Sequence, residues 1–486
     1  MERNRASVVA LVLPLVATLV CAGCQSSAPP PLVTSPAGPP PRIRITNVFV
    51  FDGRVDGLMP PQDVVLENGR VKGIVRKGML PADGEIVIDG TGKVLMPGLV
   101  DVHGHTGGQS APSWSAASRF PDPVRNLQSY LYAGVTTVFD PGDVAPDVFD
   151  RREAVARGEL LGPRIFAAGP IFTTPGGHPV GVLDGLIPWW IGWYVQGRMT
   201  REVATPEEAR AAIVALLPSR PDFIKVAVDA VPLGAPTLGG AVLKAIVEEA
   251  RAHGIRTVAH IGTVADAMAA AEAGVAAWMH GVYKERIPDE AIARFKAARI
   301  PYVATTFVFD DYADLIEGKR QSTALERETV PADVLASLEQ VPPGALPDEF
   351  GDFLKLLAAS RDARCDNVRR VSAAGVPILA GADAQLGVFP GAGLHREIDA
   401  LIRCGVAPVD ALRAATSAAA RFVSGQDEPE FGIVRDGSKA DLILVKGNPL
   451  IEPAAVHAID LVIKDGRILE RHPLVAAPAT ATSAGS

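Results

Sequence analysis

Short apolar runs alternate with amphipathic stretches from about residue 98 to about residue 424, and this alternation limits the possible folds most strongly. The runs that we interpret as β-strands cover residues 99–105, 136–140, 164–171, 222–228, 256–261, 276–281, 302–307 and 377–382. Strands that alternate with helices are typical of βα units around a parallel sheet. Eight such units predict an α/β fold with a (β/α)8 barrel of the TIM type.

Both ends of this segment carry strand patterns without helices between them. Such runs cover residues 43–51, 64–67, 70–75 and 85–88 before the barrel, and residues 440–445 and 461–463 after it. Asn68-Gly69 separates two of these runs, which is a strong signal for a hairpin. Because neither end is long enough to build a core alone, we expect residues 42–96 and 429–471 to form one small β-sandwich beside a barrel of residues 97–428.

The N-terminus has the pattern of a targeting segment. Two arginines precede an apolar stretch at residues 6–20, and the tetrapeptide Cys-Ala-Gly-Cys follows at residues 21–24. This pattern resembles a bacterial lipoprotein signal, which implies that residues 1–23 are removed and that Cys24 carries a lipid. An ordinary cleaved secretory signal and a retained anchor are the alternatives. We therefore expect an exported protein, either a cell-envelope lipoprotein held at a membrane by its lipid or a periplasmic protein.

Three further features concern the chain outside the barrel core. Residues 24–41 are rich in proline, serine and alanine and predict an extended tether, and residues 472–486 predict a flexible tail. Besides the cysteines of the signal, the sequence contains only Cys365 and Cys404, both inside helical patterns. We expect these two to be buried free thiols, with pairing in an oxidising compartment as the alternative.

A pair of histidines marks the end of the first predicted barrel strand. The apolar run of residues 96–102 leads into His103-Gly104-His105. Because side chains alternate between the two faces of a strand, His103 and His105 are expected to point the same way. Two imidazoles on one face can bind a divalent metal ion when further ligands arrive from elsewhere. The alternative is a pair of polar residues that bond to water or to backbone.

Four other polar residues fall late in or just after further predicted strands. They are Lys225, His260, His280 and Asp383. Because the carboxyl ends of barrel strands share one rim, where the chemistry of such barrels takes place, these side chains are expected to meet His103 there. Taken singly, a barrel lysine would be a salt-bridge partner and a strand-end histidine a structural residue.

The combined motifs resemble those of the amidohydrolase superfamily. They are Met96-Pro97-Gly98-Leu99-Val100-Asp101-Val102-His103-Gly104-His105, Lys225, His260, His280-Gly281, Gly381-Ala382-Asp383 and Gly437-Ser438-Lys439-Ala440-Asp441-Leu442. Within the superfamily the chain is similar to metal-dependent hydrolases of the imidazolonepropionase type and to Xaa-Pro dipeptidases with a carboxylated lysine. The resemblance covers nearly all of residues 42–469 and implies a barrel with a split β-sandwich.

The resemblance also implies a centre with two divalent metal ions. Its ligands would be His103, His105 and Asp383 for the first ion and His260 and His280 for the second, with N-carboxylated Lys225 as the bridge. Zinc is the default for a nitrogen-rich site, with iron, manganese and cobalt open. If Lys225 stays an ordinary ammonium, the site would hold one ion, and His280 would polarise the substrate carbonyl.

These ligands imply a hydrolase that cleaves an amide C–N bond of a peptide, a dipeptide or a cyclic amide. Metal coordination lowers the pKa of water toward ~7 and makes hydroxide available for attack, and Asp383 would carry the proton to the leaving nitrogen. An esterase, lactonase or phosphotriesterase on the same centre is the alternative among enzymes. A tethered binding protein with a relic barrel is the alternative outside them.

Two long insertions are expected to control which partner enters the site. Residues 173–200 and 308–350 follow the third and the seventh predicted strand and would form lids, specificity walls or a small satellite core. His178 and Tyr283 are candidate substrate contacts, and His395 has similar status. The formal net charge of −8 and the pI of about 5.7 exclude nucleic acid as a partner. We expect a small-molecule substrate, and oligomer formation stays open.

Overall fold

The computed structural model describes residues 30–76, 84–108, 121–187, 189–339 and 348–474. The predicted targeting segment, Cys24 and the tail after residue 474 lie outside the described residues. From Leu32 onward the chain forms one compact unit. Within the described ranges, no helix is both long enough and apolar enough to cross a membrane.

The described strands form one large mixed sheet and two parallel sheets. Their bounds are β1 (Val33–Thr34), β2 (Ile43–Val50), β3 (Met59–Glu67), β4 (Arg70–Val75), β5 (Ile86–Asp89), β6 (Lys93–Pro97), β7 (Leu99–Asp101), β8 (Val135–Asp140), β9 (Arg164–Ala167), β10 (Ile171–Thr173), β11 (Thr200–Glu202), β12 (Phe223–Ala227), β13 (Arg256–His260), β14 (Ala277–Met279), β15 (Tyr302–Val303), β16 (Ile378–Leu379), β17 (Leu442–Lys446), β18 (Ile459–Lys464) and β19 (Arg467–Arg471).

The mixed sheet is assembled from both ends of the chain. Its described strands follow the order β1-β19-β18-β17-β6-β2-β3-β4, with β5 paired to β2. Strand β17 pairs antiparallel with β6, so that Leu442 lies opposite Pro97. The predicted turn at Asn68-Gly69 joins β3 to β4, and both turn residues have positive φ angles, of 51° and 75°, as a tight hairpin turn requires. The two chain ends therefore share one apolar core, as expected.

The two parallel sheets carry the barrel segment. One has the described order β7-β8-β9, and the other has the order β11-β10-β12-β13-β14-β15-β16. Backbone hydrogen bonds connect the two sheets on both sides. Asp222 N donates to Ala167 O at 2.9 Å, and Val102 N donates to Ala380 O at 3.2 Å.

The third predicted strand is broken in two. Gly169 has a φ angle of 76°, and Pro170 has no N–H to donate to a neighbouring strand. Residues 164–171 therefore form β9 and the start of β10, which lie in different sheets. The prediction of one continuous strand was wrong at this point because a single apolar run conceals the break.

Helices separate the parallel strands, and further helices lie in the described parts of the two insertions. They are α1 (Pro123–Tyr132), α2 (Asp147–Ala156), α3 (Val180–Leu186), α4 (Trp189–Met199), α5 (Pro206–Leu216), α6 (Gly240–Ala252), α7 (Val264–Ala273), α8 (Asp289–Ala298), α9 (Thr306–Ile316), α10 (Ala324–Thr329), α11 (Ala332–Ser337), α12 (Asp348–Ala359), α13 (Arg361–Ala373), α14 (Ala392–Arg403), α15 (Pro408–Ala414) and α16 (Ser417–Ser424). On α6 the side chains of Val242, Leu243 and Ile246 are buried, while Lys244 is exposed. This helix thus has the apolar stripe expected of the amphipathic stretches between the strands.

Cys365 and Cys404 form a disulfide rather than two free thiols. The first lies on α13 and the second directly follows α14, and their Cα atoms are 4.9 Å apart. The expectation of free thiols was therefore wrong. Helical periodicity places each cysteine on a helix but carries no information on which helix ends meet in space.

The end of the predicted tether is packed against the folded unit. Leu32 and Val33 are buried, and Val33 on β1 pairs with Arg471 on β19. Leu32 N donates to Gln128 Oε1 at 2.9 Å, and His472 N donates to Leu32 O at 2.8 Å. The chain is thus anchored from Leu32 onward by ordinary strand pairing and apolar burial.

Candidate metal centre

His103, His105 and Asp383 meet at one point of the described structure. One ligand atom from each of them lies within 4.8 Å of the others, and all three side chains are buried. His105 Nε2 lies 3.0 Å from Asp383 Oδ1, and His103 Nε2 lies 3.6 Å from the same oxygen. Two nitrogens and one carboxylate oxygen in this arrangement suit a divalent transition metal.

The backbone that carries these ligands is fixed by its neighbours. Strand β7 ends at Asp101, so the histidine pair follows the strand instead of lying on it. A Cβ atom on Gly104 would lie 2.5 Å from the hydroxyl oxygen of Tyr130, which shows that the space beside this glycine belongs to that side chain. The Tyr130 hydroxyl in turn accepts a hydrogen bond from His105 N at 3.1 Å. On the other side, Asp383 N donates to His103 O at 2.6 Å.

His260 and His280 lie beside this group and extend it. The two ring centroids are 4.0 Å apart, and the centroid of His280 is 4.4 Å from that of His103. His280 Nδ1 lies 3.0 Å from Thr305 Oγ1 and 3.7 Å from Asp383 Oδ2. His280 and Thr305 have φ angles of 73° and 40°, a strained backbone that is typical of functional sites.

Lys225 is buried on β12 without a nearby acid. Within the described ranges, no carboxylate oxygen lies within 4.0 Å of its Nζ, so the simple salt-bridge interpretation has no support there. Burial lowers the pKa of Lys225 to about 7, and the charge of Asp383 acts in the opposite direction. The amine is therefore neutral in a large fraction of molecules at neutral pH.

The electrostatics of the histidines differ between the members of the group. Burial holds the pKa of His103, His260 and His280 below the ordinary imidazole value, so these rings are neutral, as metal ligands must be. Burial acts the same way on His105, but hydrogen bonds and charges of Asp140 and Asp383 outweigh it and raise its pKa to about 10. Asp140 and Asp383 thus stabilise a positive charge between them, which a proton on His105 or a metal ion can supply.

The candidate substrate contacts have unequal positions. His178 is buried with its ring centroid 4.5 Å from that of His260, so it belongs to the same group of imidazoles. Tyr283 is also buried, and its hydroxyl donates to Asp229 instead of facing an open space. His395 lies on α14. Its Nε2 is 2.7 Å from Ala133 O, and the ring does not join the group of metal-site residues.

Several residues around the site escaped the sequence analysis. Asp140 accepts hydrogen bonds from Thr106 and lies 3.7 Å from His105 Nδ1, and Gly142 O lies 3.0 Å from the same nitrogen. Asp229 lies 3.3 Å from His260 Nε2. The sequence did carry a signal for both aspartates, namely an acidic residue at or just beyond the end of an apolar strand. Asp140 ends β8, and Asp229 follows β12 by two residues.

The residues present fit a metal centre. His103 Nδ1 and His178 Nδ1 are buried and have no hydrogen-bond partner among the described residues. Unsatisfied buried nitrogens are costly, and a cluster of them beside a carboxylate is expected where a ligand completes the site. The donor set of imidazole nitrogens and a carboxylate oxygen is that of divalent transition metals.

This fold and this site define a metal-dependent hydrolase. The chain matches the sequence profile of the Amidohydrolase family over residues 94–469, which is most of its length, and it belongs to that family. The protein is accordingly an enzyme that cleaves carbon–nitrogen bonds of amides at a metal centre, which confirms the function and the family expected from the sequence.

Known relatives support this conclusion. The chain is 27% identical over 382 residues to the ochratoxinase of Aspergillus niger, with 74% of this chain and 71% of the relative covered. It is similar in fold to a Xaa-Pro dipeptidase crystallised with methionine, with a TM-score of 0.72, 24% identity and coverage of 88% and 99%. The crystal structure of the A. niger ochratoxinase gives a TM-score of 0.66, 22% identity and coverage of 89% and 96%. These structures share the TIM-type barrel with an additional domain.

Proposed function

We propose that the substrates are small amides with an amino acid at the scissile bond, and that dipeptides are the first class to test. The convergence of His103, His105 and Asp383 beside the His260–His280 pair carries the proposal. The activities named for the relatives, an ochratoxinase and a Xaa-Pro dipeptidase, support the substrate class.

An aromatic wall next to His280 also supports this class. The ring of Tyr283 stacks on Phe309 with centroids 3.9 Å apart, and Phe353 meets Tyr283 edge-on at 6.3 Å. The centroid of Phe309 is 5.7 Å from that of His280. Phe309 lies in the insertion after β15, and Phe353 lies just after it on α12. These rings favour substrates with an apolar or aromatic side chain.

The centre would hold two divalent ions, with zinc as the default. His103, His105 and Asp383 would hold the first ion, His260 and His280 the second, and Lys225 would bridge them as a carbamate. Among the described residues, no carboxylate oxygen lies within 4.0 Å of this buried amine. This supports the carbamate, because capture of CO2 turns the amine into an anion that can lie among cations. When bound, the ions polarise the scissile carbonyl and acidify water.

The chain's own residues supply orientation and proton transfer. Asp383 Oδ1 accepts a hydrogen bond from Gln385 Nε2 at 3.1 Å and faces both His103 and His105. This leaves Oδ2, on the His280 side, to take a proton from the attacking water and pass it to the leaving nitrogen. The aromatic wall beside His280 would hold an apolar side chain of the substrate, and His280 would polarise the carbonyl only if the site holds one ion.

A substrate panel tests the proposal. Purified protein is incubated with Xaa-Pro and other dipeptides, with ochratoxin A, and with esters and lactones of similar size, and products are followed by mass spectrometry. We expect metal-dependent amide hydrolysis that chelation abolishes and added zinc restores. Turnover of the esters or lactones alone would overturn the amide assignment. Asp383→Asn should abolish turnover without loss of folding.

We also infer that the protein is exported and lipidated at Cys24. The pattern of residues 6–24 supports this, and so does the disulfide between Cys365 and Cys404, because disulfides persist in oxidising compartments. Metabolic labelling with a fatty acid should mark the wild-type protein and not Cys24→Ser. Labelling of both proteins would contradict the assignment.

We further propose that eight of the described parallel strands, β7–β9 and β12–β16, close into one barrel, with β10 and β11 beside it. The backbone hydrogen bonds from Asp222 to Ala167 and from Val102 to Ala380 support closure, because they connect β9 to the start of β12 and the end of β7 to the end of β16. Slow hydrogen exchange at the amides of Asp222 and Val102, as slow as in the centre of β12, would agree with this proposal. Fast exchange there would indicate an open edge.

A further inference from the structure

A buried carboxylate beside the candidate metal centre has no part in the reaction proposed above. Asp229 is 2% exposed and follows β12, the strand of Lys225. Its Oδ2 lies 3.3 Å from His260 Nε2 and accepts a hydrogen bond from the Tyr283 hydroxyl. Its Oδ1 accepts a hydrogen bond from Lys284 Nζ at 2.6 Å. The ends of β12, β13 and β14 are therefore connected through one carboxylate.

The backbone around Asp229 is shaped to admit it. A Cβ atom on Gly262 would lie 2.4 Å from Asp229 Oδ2, so a larger residue at this position would displace the carboxylate. Gly262 O accepts hydrogen bonds from the backbone N–H groups of Tyr283 and Lys284, both at 3.1 Å. Lys284 Nζ also donates to Ala230 O at 2.7 Å. Each partner of the carboxylate is thus itself held in place.

These contacts assign Asp229 to the histidine and not to a substrate. Both carboxylate oxygens are engaged by side chains of the protein, and the group is buried. A carboxylate against one ring nitrogen of a metal-binding histidine fixes the ring orientation and increases the basicity of the other nitrogen. With Nε2 facing Asp229, Nδ1 is the atom of His260 that remains for a metal ion.

We propose that Asp229 is the positioning residue of His260, held by Tyr283 and Lys284, and that it sets the affinity of the His260–His280 side for its metal ion. The inference rests on the two-metal centre proposed above. It gives Tyr283 a role through Asp229, in place of the direct substrate contact expected from the sequence.

Metal binding, measured apart from activity, tests the assignment. Metal-free wild-type protein and Asp229→Asn are titrated with Zn²⁺ by calorimetry. We expect two ions in the wild-type protein, and in the variant an unchanged first ion and a second ion bound 10–100-fold more weakly, the range typical of partners behind a ligand. Tyr283→Phe should weaken the second ion less than Asp229→Asn does.

Asp266→Asn is the matched control. Asp266 accepts hydrogen bonds from Gly262 N and Thr263 N at the start of α7 and makes no contact with His260 among the described contacts. Both metal affinities should therefore stay unchanged in this variant. If Asp266→Asn also binds the second ion more weakly, any disturbance of this loop lowers the affinity for that ion. This outcome would overturn the specific role of Asp229.

The remaining outcomes separate the two proposals. Two ions in the wild-type protein with an unchanged second affinity in Asp229→Asn overturn the positioning role and leave the proposed function intact. Fewer than two ions in the wild-type protein contradict the two-metal centre itself. Thermal unfolding of the metal-free proteins reports on folding. If Asp229→Asn does not fold, Tyr283→Phe decides, and an unchanged affinity for the second ion in that variant overturns the assignment.

Discussion

In the proposed two-metal centre, the number of metal ions depends on Lys225. It is buried, with no carboxylate of the described residues beside its amine, and as a carbamate it would join two ions. We expect Lys225→Ala to bind one ion per chain instead of two and to lose more than about 100-fold in kcat/KM, beyond the 10–100-fold typical of partners behind a ligand. Elemental analysis and hydrolysis rates measure these effects. Short-chain carboxylic acids should restore part of the activity.

Lys244→Ala is the control for this variant. Lys244 is exposed on α6, so its loss should change neither metal content nor rate. One ion in the wild-type protein, or two in Lys225→Ala, would contradict the bridging role.

At the same scale, the residues that meet at the candidate metal centre were easier to find in the sequence than the residues that support them. His103, His260 and His280 could be found because apolar strands of a parallel sheet are easily recognised and their ends mark one rim. Asp229 and Thr305 could not be assigned, because their contacts with His260 and His280 depend on the conformations of loops. The two backbone hydrogen bonds from Tyr283 and Lys284 to Gly262 O likewise result from tertiary packing.

At the scale of the elements, a buried glutamic acid on α14 binds the backbone at the start of α9. Glu397 Oε2 accepts a hydrogen bond from Phe307 N at 2.7 Å, and the side chain is fully buried. Burial raises the pKa of Glu397 from 4.5 to about 8, so the folded protein keeps a proton that the unfolded chain releases. This contribution to stability is complete below about pH 4.5 and is lost as pH rises through about 8, by up to about 1.4 kcal/mol per pH unit.

Glu397→Gln is expected to flatten this pH dependence, because the amide carries no proton that titrates. Urea unfolding at about pH 5, 6, 7 and 8 compares the variant with the wild-type protein. Glu317→Gln is the control, since Glu317 lies on the surface after α9. An equally steep dependence in wild type and Glu397→Gln would show that another group is responsible.

The connection between α9 and α10 depends on a buried ion network. Arg320 pairs with Asp311 at 3.2 Å and with Glu326 at 2.9 Å, and at most 2% of each side chain is exposed. Arg320→Met removes the cation and leaves two buried carboxylates with Arg396 alone. We expect a loss of about 3 kcal/mol in the free energy of unfolding, measured in urea. Lys319→Met, at an exposed position, should cost less than about 0.5 kcal/mol.

The elements themselves were predictable where local signals agree. The positive φ angles at Asn68-Gly69 and the apolar stripe of α6 follow from short-range preferences. The break at Gly169-Pro170 was missed because the flanking residues are all apolar, and β11 was missed because it is short and partly polar. The break has a local cause, whereas β11 forms through its pairing with β10.

For the whole molecule, the two chain ends are partners. Strand β6 near the N-terminus pairs with β17 near the C-terminus, and β1 pairs with β19. The mixed sheet therefore cannot form until nearly the whole chain is present. Such long-range pairing makes folding slow. The effect of a crosslink on the unfolded chain depends instead on how many residues the crosslink encloses.

The Cys365–Cys404 disulfide is such a crosslink, and it closes a separation of 39 residues. By the chain-entropy relation, a loop of this length is worth up to about 4 kcal/mol. We expect the double variant Cys365→Ser/Cys404→Ser to lose about 2–4 kcal/mol in urea unfolding, and the wild-type protein to lose the same amount when it is reduced. Because the variant has no bridge, reductant should not change its midpoint. Equal stability of the oxidised wild-type protein and the variant would mean that the bridge does not constrain the unfolded chain.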